Sequence, residues 1–543
     1  MNKSPFEIFI ESPRKLVILD LLIVLPFLIL PLLLQLPYRV NIFLTWEGAY
    51  RLFLGQVPFQ DFGIPMGFGF WLIPALFFKL FGPTFMSLIK AQVLINLLSV
   101  VAIRGILYKL KIKPIAITLT ILVFCLTYVI YNFWPWYNHS VVVFELIAIY
   151  FLLSYLIDNG RRLPHLVSLP LAGFFTFLSF FTKQDVGGIC FFICVFLLCY
   201  NSIKKKKIQP LLIYVVSFSI TATLFITPFL KYDFLYWFNY GQEPHSSRIS
   251  IKSLLDILLA QSTLEKVYLL IILFAITLKI KSWRSFIDDN LLFYTVTIVL
   301  AFILQSIVTR VTSPLPTDHM SYFHTFGFVG FSLFFPWEKW SSKLIYVLCL
   351  STLLVGLYST GVWQYVSRLI PIKHDPENLT QTPYHPWAPN SWPTMKNVLL
   401  PGATNSGIDR LMELPILKNK DLKVLNMTEL TSLAREIGYT PLTQQPLWYH
   451  LNIGIFEREV EEINQKITDG YYDMVLFQSI PSLNNFYPYE VLDKLKEKYF
   501  LYDTFLAPRK LEDSNIQVFI RPDLANQFEL KQVNDSTSDP THE

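Results

Sequence analysis

Four short polar stretches, set between long apolar runs, hold the side chains that could do chemistry. The first contains Thr45-Trp46-Glu47-Gly48-Ala49-Tyr50-Arg51, then Gly55-Gln56-Val57-Pro58-Phe59-Gln60-Asp61-Phe62. Its two carboxylates, Glu47 and Asp61, sit among aromatics. A partly desolvated carboxylate holds a proton more tightly, as a general base near neutral pH must. Plainer roles are open to both. Glu47 can pair with Arg51 one helical turn on, and Asp61 can cap a helix. The second stretch is Trp134-Pro135-Trp136-Tyr137-Asn138-His139. Its Trp residues suit an interfacial aromatic belt, whereas Asn138 and His139 head an apolar run and could line a cavity. The third, Thr182-Lys183-Gln184-Asp185, separates two apolar runs with almost no loop. Lys183 there could meet a phosphate, snorkel to water, or pair with Asp185. The fourth runs from Arg310 through Asp318 and His319 to Tyr322 and His324. A guanidinium suits two-point phosphate contact, and the two His could bind a phosphate or orient an acceptor. A lone His such as His319 is nonetheless more often structural.

The elements that must position these groups are membrane helices. The chain is 53% hydrophobic and 16% charged, against roughly a quarter charged in soluble chains. Its polar residues cannot cover a globule of this size, and bilayer is the solvent that accepts the excess. Pro13-Arg14-Lys15 precedes a first apolar run, Leu16–Leu36, about the 20 residues a span needs and too long for a signal core. Ten further runs follow: Phe85–Ile103, Pro114–Tyr131, Ser140–Ile157, Leu166–Phe181, Gly187–Tyr200, Pro210–Phe229, Leu264–Ile280, Leu291–Val308, Met320–Phe335 and Leu344–Val366. Basic clusters at 104–113, 161–162, 204–207, 279–284 and 339–343 fall in every second connection. By the positive-inside rule these connections are cytoplasmic and the others external. The apolar stretch from Gly67 to Phe81 would invert that pattern if it crossed, so it is expected to lie in the outer interface or re-enter, within one long external loop, 37–84. About eleven spans result. An odd number leaves the N-terminus inside and the C-terminal region outside.

The expected organisation is a membrane domain over 1–370, a linker over 371–401, a soluble α/β domain over 402–525 and a disordered tail over 526–543. Lys423–Asn426, Met474–Gln478 and Gln517–Ile520 predict strands; Thr428–Ile437, Phe456–Thr468 and Tyr489–Tyr499 predict helices. The helical spacing of Ile455, Val460, Ile463 and Ile467 is one such signal. The five cysteines all lie in apolar runs, as small buried residues rather than metal ligands or a disulfide framework. No phosphate-cradling glycine run or protease signature is present. The net charge of +5 is distributed through short connections, which argues against nucleic-acid binding.

The topology, together with Gly55-Gln56-Val57-Pro58-Phe59-Gln60-Asp61-Phe62, Pro65 and Gly67, resembles the GT-C glycosyltransferases, polytopic enzymes that use polyprenyl-phosphate sugars. Tyr137-Asn138-His139, Lys183-Gln184 and the His319 and Tyr322 pair are similar to weaker elements of that family. The likeness covers the membrane part of the chain. The chain departs from the family in one respect: the usual acidic position ahead of the glycine falls nearer Asn41 than Glu47. The resemblance implies inverting transfer of a sugar, by single displacement, from a polyprenyl-phosphate donor to an acceptor on the outer face of what would be a bacterial inner membrane. It assigns Glu47, with Asp61 as second choice, as base, and Lys183, Arg310 and His319 as donor-phosphate ligands. Trp46, Tyr137, Asn138, His139, Gln184, Asp185 and Tyr322, with Trp136, would contact substrate. It requires no organic cofactor and is compatible with a divalent metal. Two alternatives remain open. One is a transporter or flippase of a lipid-linked or polar solute, for which Asp20 and Glu145 inside spans would speak. The other is a catalytically inactive scaffold of the same fold.

Overall fold

The computed structural model describes residues 12–39, 42–158, 164–239, 241–279, 282–314, 317–340, 343–369, 387–419, 421–481, 487–508 and 514–533. Most of the expected linker and most of the expected tail lie outside these residues. The chain divides into two compact units. One comprises Met1–Leu32, Gln92–Thr227 and Ser247–His374; the other comprises Leu33–Ala91, Pro228–Ser246 and Asp375–Glu543.

The first unit is helical. Among the described residues, seven helices are long and apolar enough to cross a membrane, or up to eight if Ile251–Gln261 and Leu264–Thr277, bent by 86°, form one span. The expected count of about eleven therefore exceeds what helix length supports. Leu166–Thr182 and Leu344–Leu357 are shorter apolar helices, and the Met320–Phe335 run contains only the ten-residue helix Phe323–Ser332. Ten residues rise about 15 Å, half of what a hydrocarbon core requires. Hydropathy continues across such breaks although the helix does not. Tyr137–Leu156 packs against His165–Thr182, which also packs against Gln209–Ile226; Asn290–Thr312 packs against Phe323–Ser332 and Gln184–Lys205. An unpaired charge inside this apolar unit would carry a large desolvation cost, and Asp20 is matched by a cation. Asp20 accepts from Arg104 Nε at 2.7 Å and from Thr118 Oγ1 at 2.6 Å. The Glu145 carboxylate accepts from Gln305 Nε2 at 2.7 Å.

The second unit is α/β. A four-stranded sheet has the order Val424–Met427, Met474–Ser479, Asn515–Ile520, Phe500–Leu506; the first pair is parallel and the other two antiparallel. Helices Glu457–Thr468 and Tyr489–Lys498 pack together, and their Val460, Ile463, Ile467, Val491 and Leu495 share a core with Leu425, Val475, Phe477 and Phe519. The helical spacing in the sequence thus marks the buried face. The strand Phe500–Leu506 and the helix Gly402–Met412 are not evident in the sequence. The strand has a register shift between Leu501 and Asp503, and Asp503 pairs with Val518 while buried in it. The Asp503 carboxylate is satisfied by Arg410 of that helix through bonds of 2.9 and 3.1 Å. The helix is rich in Gly, Thr, Asn and Ser. A Cβ at its Gly407 would stand 2.1 Å from the Phe505 ring, so the helix approaches the strand through that glycine.

The long segment after the first helix belongs to this unit by pairing. Leu36 and Pro37 run parallel to Val398 and Leu399, and Phe62 and Gly63 run parallel to Gln445 and Pro446. The Gly67–Phe81 stretch forms a short helix, Leu72–Phe81. Ala75 and Phe78 face inward while Leu72, Leu76 and Leu80 are exposed at one-turn spacing, an apolar stripe of the kind an interfacial helix presents to lipid.

Candidate functional site

In the helical unit, two apolar helices meet head to tail at Thr182-Lys183-Gln184-Asp185. Gly187 makes the tight approach possible: a Cβ there would stand 2.1 Å from the Phe180 backbone nitrogen. The polar residues are thereby held at a fixed turn. Lys183 Nζ donates to Thr312 Oγ1 at 2.9 Å and stands 3.1 Å from Asp185 Oδ2. Arg248 reaches the same residue, donating from Nη1 to the Thr312 carbonyl at 3.2 Å. Its Nη2 is buried with no hydrogen-bond partner among the described residues. Burial lowers the Lys183 pKa from the ordinary lysine value; Asp185 opposes the shift and Arg248 adds to it. Two cations and one carboxylate thus converge on the end of the Asn290–Thr312 helix. The surplus positive charge and the open donor are what an anion would satisfy.

Arg310, which the sequence favours for a phosphate, turns elsewhere. Its Nη2 lies 3.1 Å from Glu265 Oε1 and its Nε donates to Met320 Sδ at 3.2 Å. Arg248 was missed because it is a lone cation in a long connection, with no neighbouring motif to mark it. His319 is fully buried, edge-on to Trp136 with ring centroids 5.1 Å apart, and Trp136 meets Tyr137 at 5.2 Å. His139 Nδ1 lies 2.6 Å from Gln92 Nε2. Tyr128 packs edge-on to both His139 and Tyr322, at 4.9 and 5.6 Å. The second and fourth stretches are therefore joined by buried rings. Gln92, Asn96 and Tyr128 also escaped the sequence reading, though Gln92 and Asn96, four apart in an apolar run, are a detectable polar pair that hydrogen-bonds at 2.9 Å. Asn138 is buried with both side-chain amide atoms unpartnered among the described residues. An amide left so is costly, and it is a natural contact for a polar ligand.

The carboxylates of the first stretch lie in the α/β unit. Arg51 Nε donates to Glu47 Oε1 at 2.6 Å, and Arg51 Nη1 donates to Gln56 Oε1 at 2.9 Å and to the Leu442 carbonyl at 2.7 Å. The pair faces a cavity of about 20 Å³ lined also by Asn426, Tyr439, Gln445 and Tyr449. That is room for a single water. Burial, with the Glu47 charge adding to it, raises the Tyr439 pKa and keeps its hydroxyl protonated. Asp61 has a local role: its Oδ2 accepts from Val57 N at 2.7 Å and its carbonyl accepts from Gln444 N at 2.6 Å. Trp46 is fully buried and packs against Phe78 and Phe85, each at 4.9 Å. Both partners are core rings, so Trp46 is not a platform for a sugar. Among the described residues, no group of three or more His, Cys, Asp or Glu could hold a metal ion.

No family model matches the chain, and no curated protein is similar to it in sequence. Solved structures are similar. ArnT from Cupriavidus metallidurans in the apo state aligns with a TM-score of 0.54 at 12% identity, over 93% of this chain and 98% of that one. ArnT from Cupriavidus metallidurans bound to undecaprenyl phosphate aligns with a TM-score of 0.50 at 10% identity, with the same coverage. The chain is thus a multi-span helical membrane protein with a C-terminal α/β region, and its fold is that of ArnT, a glycosyltransferase of the GT-C family that the sequence resembles.

Proposed function

We propose that the protein transfers a sugar from a polyprenyl-phosphate donor to an acceptor hydroxyl on the outer face of the membrane, with inversion. The observation that carries this reading is the convergence of Lys183 and Arg248 on Thr312, in a fold whose ArnT relative was solved with undecaprenyl phosphate. In a single displacement the acceptor oxygen forms a bond to the anomeric carbon as the bond to the phosphate oxygen breaks. The electron pair leaves on the lipid phosphate, and cations aimed at that oxygen stabilise the transition state. The acceptor proton passes to a carboxylate. Glu47, held by Arg51 Nε at 2.6 Å, is the first assignment, and Asp61 is the second. Asn138, His139 and Tyr322, with Tyr137, Gln184 and Asp185, would contact donor or acceptor.

One observation favours a second reading. The cavity beside Glu47 admits about one water, which suits a structural ion pair in a scaffold that binds the lipid-linked sugar without turning it over. Transfer from radiolabelled polyprenyl-phosphate sugars, measured in membranes that contain the native acceptors, separates the two. The transferase reading expects label transfer by the wild type and loss of transfer in Glu47→Gln with donor binding kept. Unchanged transfer in both Glu47→Gln and Asp61→Asn would remove the carboxylate mechanism. Donor binding with no transfer by the wild type would establish the scaffold.

A further inference from the structure

Within the α/β unit lies a cleft of about 460 Å³, distinct from the Glu47 cavity. That volume is in the range of small-molecule sites. Its floor is built from the buried Phe59, Phe62 and Trp237. Gly63 allows that floor, because a Cβ there would stand 1.8 Å from the Trp237 ring. The rim is polar and exposed: Gln60, Asp233, Gln444, Arg458 and Glu462, with a half-buried Tyr232 ring beside them.

Three features indicate a built site. Phe59 and Gln444 both have left-handed backbones, φ 64° and 56°. Such strain in residues other than glycine concentrates where geometry serves a function. The two segments are tied together: Phe59 N donates to the Phe62 carbonyl to close its turn, and Gln444 N donates to the Asp61 carbonyl within that turn. The Arg458 wall is fixed as well. Its guanidinium lies 3.7 Å from the centroid of Tyr236, Nε donates to Glu459 Oε1 at 2.8 Å, and Nη2 donates to Asp233 Oδ2 at 3.3 Å. Glu459 Oε2 in turn accepts from Phe456 N at 3.0 Å and from the Tyr236 hydroxyl at 3.2 Å. Finally, the lining charges are three carboxylates, Asp233, Glu459 and Glu462, against one guanidinium. That balance repels an anion.

We propose that this cleft binds a neutral saccharide, the glycan portion of the acceptor. The proposal rests on the transferase reading for the word acceptor and on the cleft alone for the saccharide. Sugar hydroxyls are donor and acceptor at once. Gln60 and Gln444 offer both functions, and Asp233 and Glu462 accept. The half-buried Tyr232 ring beside these groups completes the complement to a pyranose ring, apolar on its C–H face and polar at its edge.

The test is saturation-transfer NMR on the full-length protein in detergent, with mannotriose and chitotriose as neutral probes and a triuronate as the anionic comparator. Undecaprenyl phosphate binding to wild type is measured in parallel. Expected is contact with at least one neutral probe and none with the triuronate. The double variant Gln60→Ala, Asp233→Ala should weaken that contact at least tenfold with its thermal midpoint unchanged, since both residues are exposed. Should the double variant unfold, Glu462→Lys on the exposed helix face reads the same effect. Absence of binding by both neutral probes, preference for the triuronate, or undiminished binding by a folded variant would overturn the cleft. Failure to bind undecaprenyl phosphate while a neutral trisaccharide binds would remove the transferase reading and leave the cleft standing.

Discussion

Arg248→Ala, compared with Arg310→Ala, tests which guanidinium serves the phosphate. Among the described residues, Arg248 makes one hydrogen bond, to the Thr312 carbonyl at 3.2 Å, and keeps a buried donor without a partner. A hydrogen bond to a charged group contributes roughly 1.5–3 kcal/mol. Loss of one such bond to a lipid phosphate weakens binding roughly 10- to 150-fold. The fold should lose little, about 1 kcal/mol for the neutral carbonyl contact. Arg310→Ala should do the reverse. Its partner Glu265 has a side chain only 2% exposed, and a buried carboxylate stripped of its cation costs about 3 kcal/mol or more. The assay is equilibrium binding of radiolabelled undecaprenyl phosphate to detergent-solubilised protein, with thermal unfolding on the same samples. Arg248→Ala is expected to lose affinity at a nearly unchanged midpoint; Arg310→Ala is expected to lose midpoint and keep affinity wherever it remains folded. Wild-type affinity in Arg248→Ala, together with lost affinity at an unchanged midpoint in Arg310→Ala, would refute the assignment.

Three further outcomes follow from the geometry. Burial lowers the Lys183 pKa, and phosphate binding needs the charged ammonium. Undecaprenyl phosphate affinity should therefore fall as pH rises, beginning below the ordinary lysine range, and Lys183→Arg should flatten that profile in a binding titration. Burial also lowers the His245 pKa, against hydrogen bonds to the backbone of Tyr236 and Trp237 that raise it. The unfolded state then takes up the proton more readily. This contribution to stability is fully present above the unfolded value, about 6.5, and is lost as pH falls toward the lower folded value; thermal midpoints measured from pH 8 to pH 5 should drop less in His245→Gln than in wild type. Gly187→Ala places a Cβ about 2 Å from the Phe180 backbone, which no rotamer change relieves. A loss of about 3 kcal/mol is expected, read as a lowered midpoint or failure to recover monodisperse protein.

The periodic and compositional properties of this chain are legible in its sequence alone. Apolar runs fix membrane helices because each backbone polar group in lipid needs an internal partner. The buried positions Val460, Ile463 and Ile467 follow from spacing. The phrase around Pro58 and Phe59 points to the fold that the ArnT structures show over 93% of the chain. Pairings at a distance are not legible. Nothing local in Leu36-Pro37 or Phe62-Gly63 announces partners near 398 and 445. Asp503 argues locally against a strand, and its bonds to Arg410 satisfy the carboxylate that the strand buries. The pairing of Glu47 with Arg51 can be anticipated from their separation, whereas the water-sized cavity around them is made by residues almost four hundred positions later. Arg248 and Arg310 are alike as residue types. Glu265 neutralises one and Thr312 receives the other. Sequence therefore determined that the chain is a multi-span membrane protein and which groups could bear charge near the apolar runs; the tertiary structure alone decided which helices are long enough to span, which charges are already paired and which remain available to a ligand, because pairing depends on what folding brings within about 3 Å.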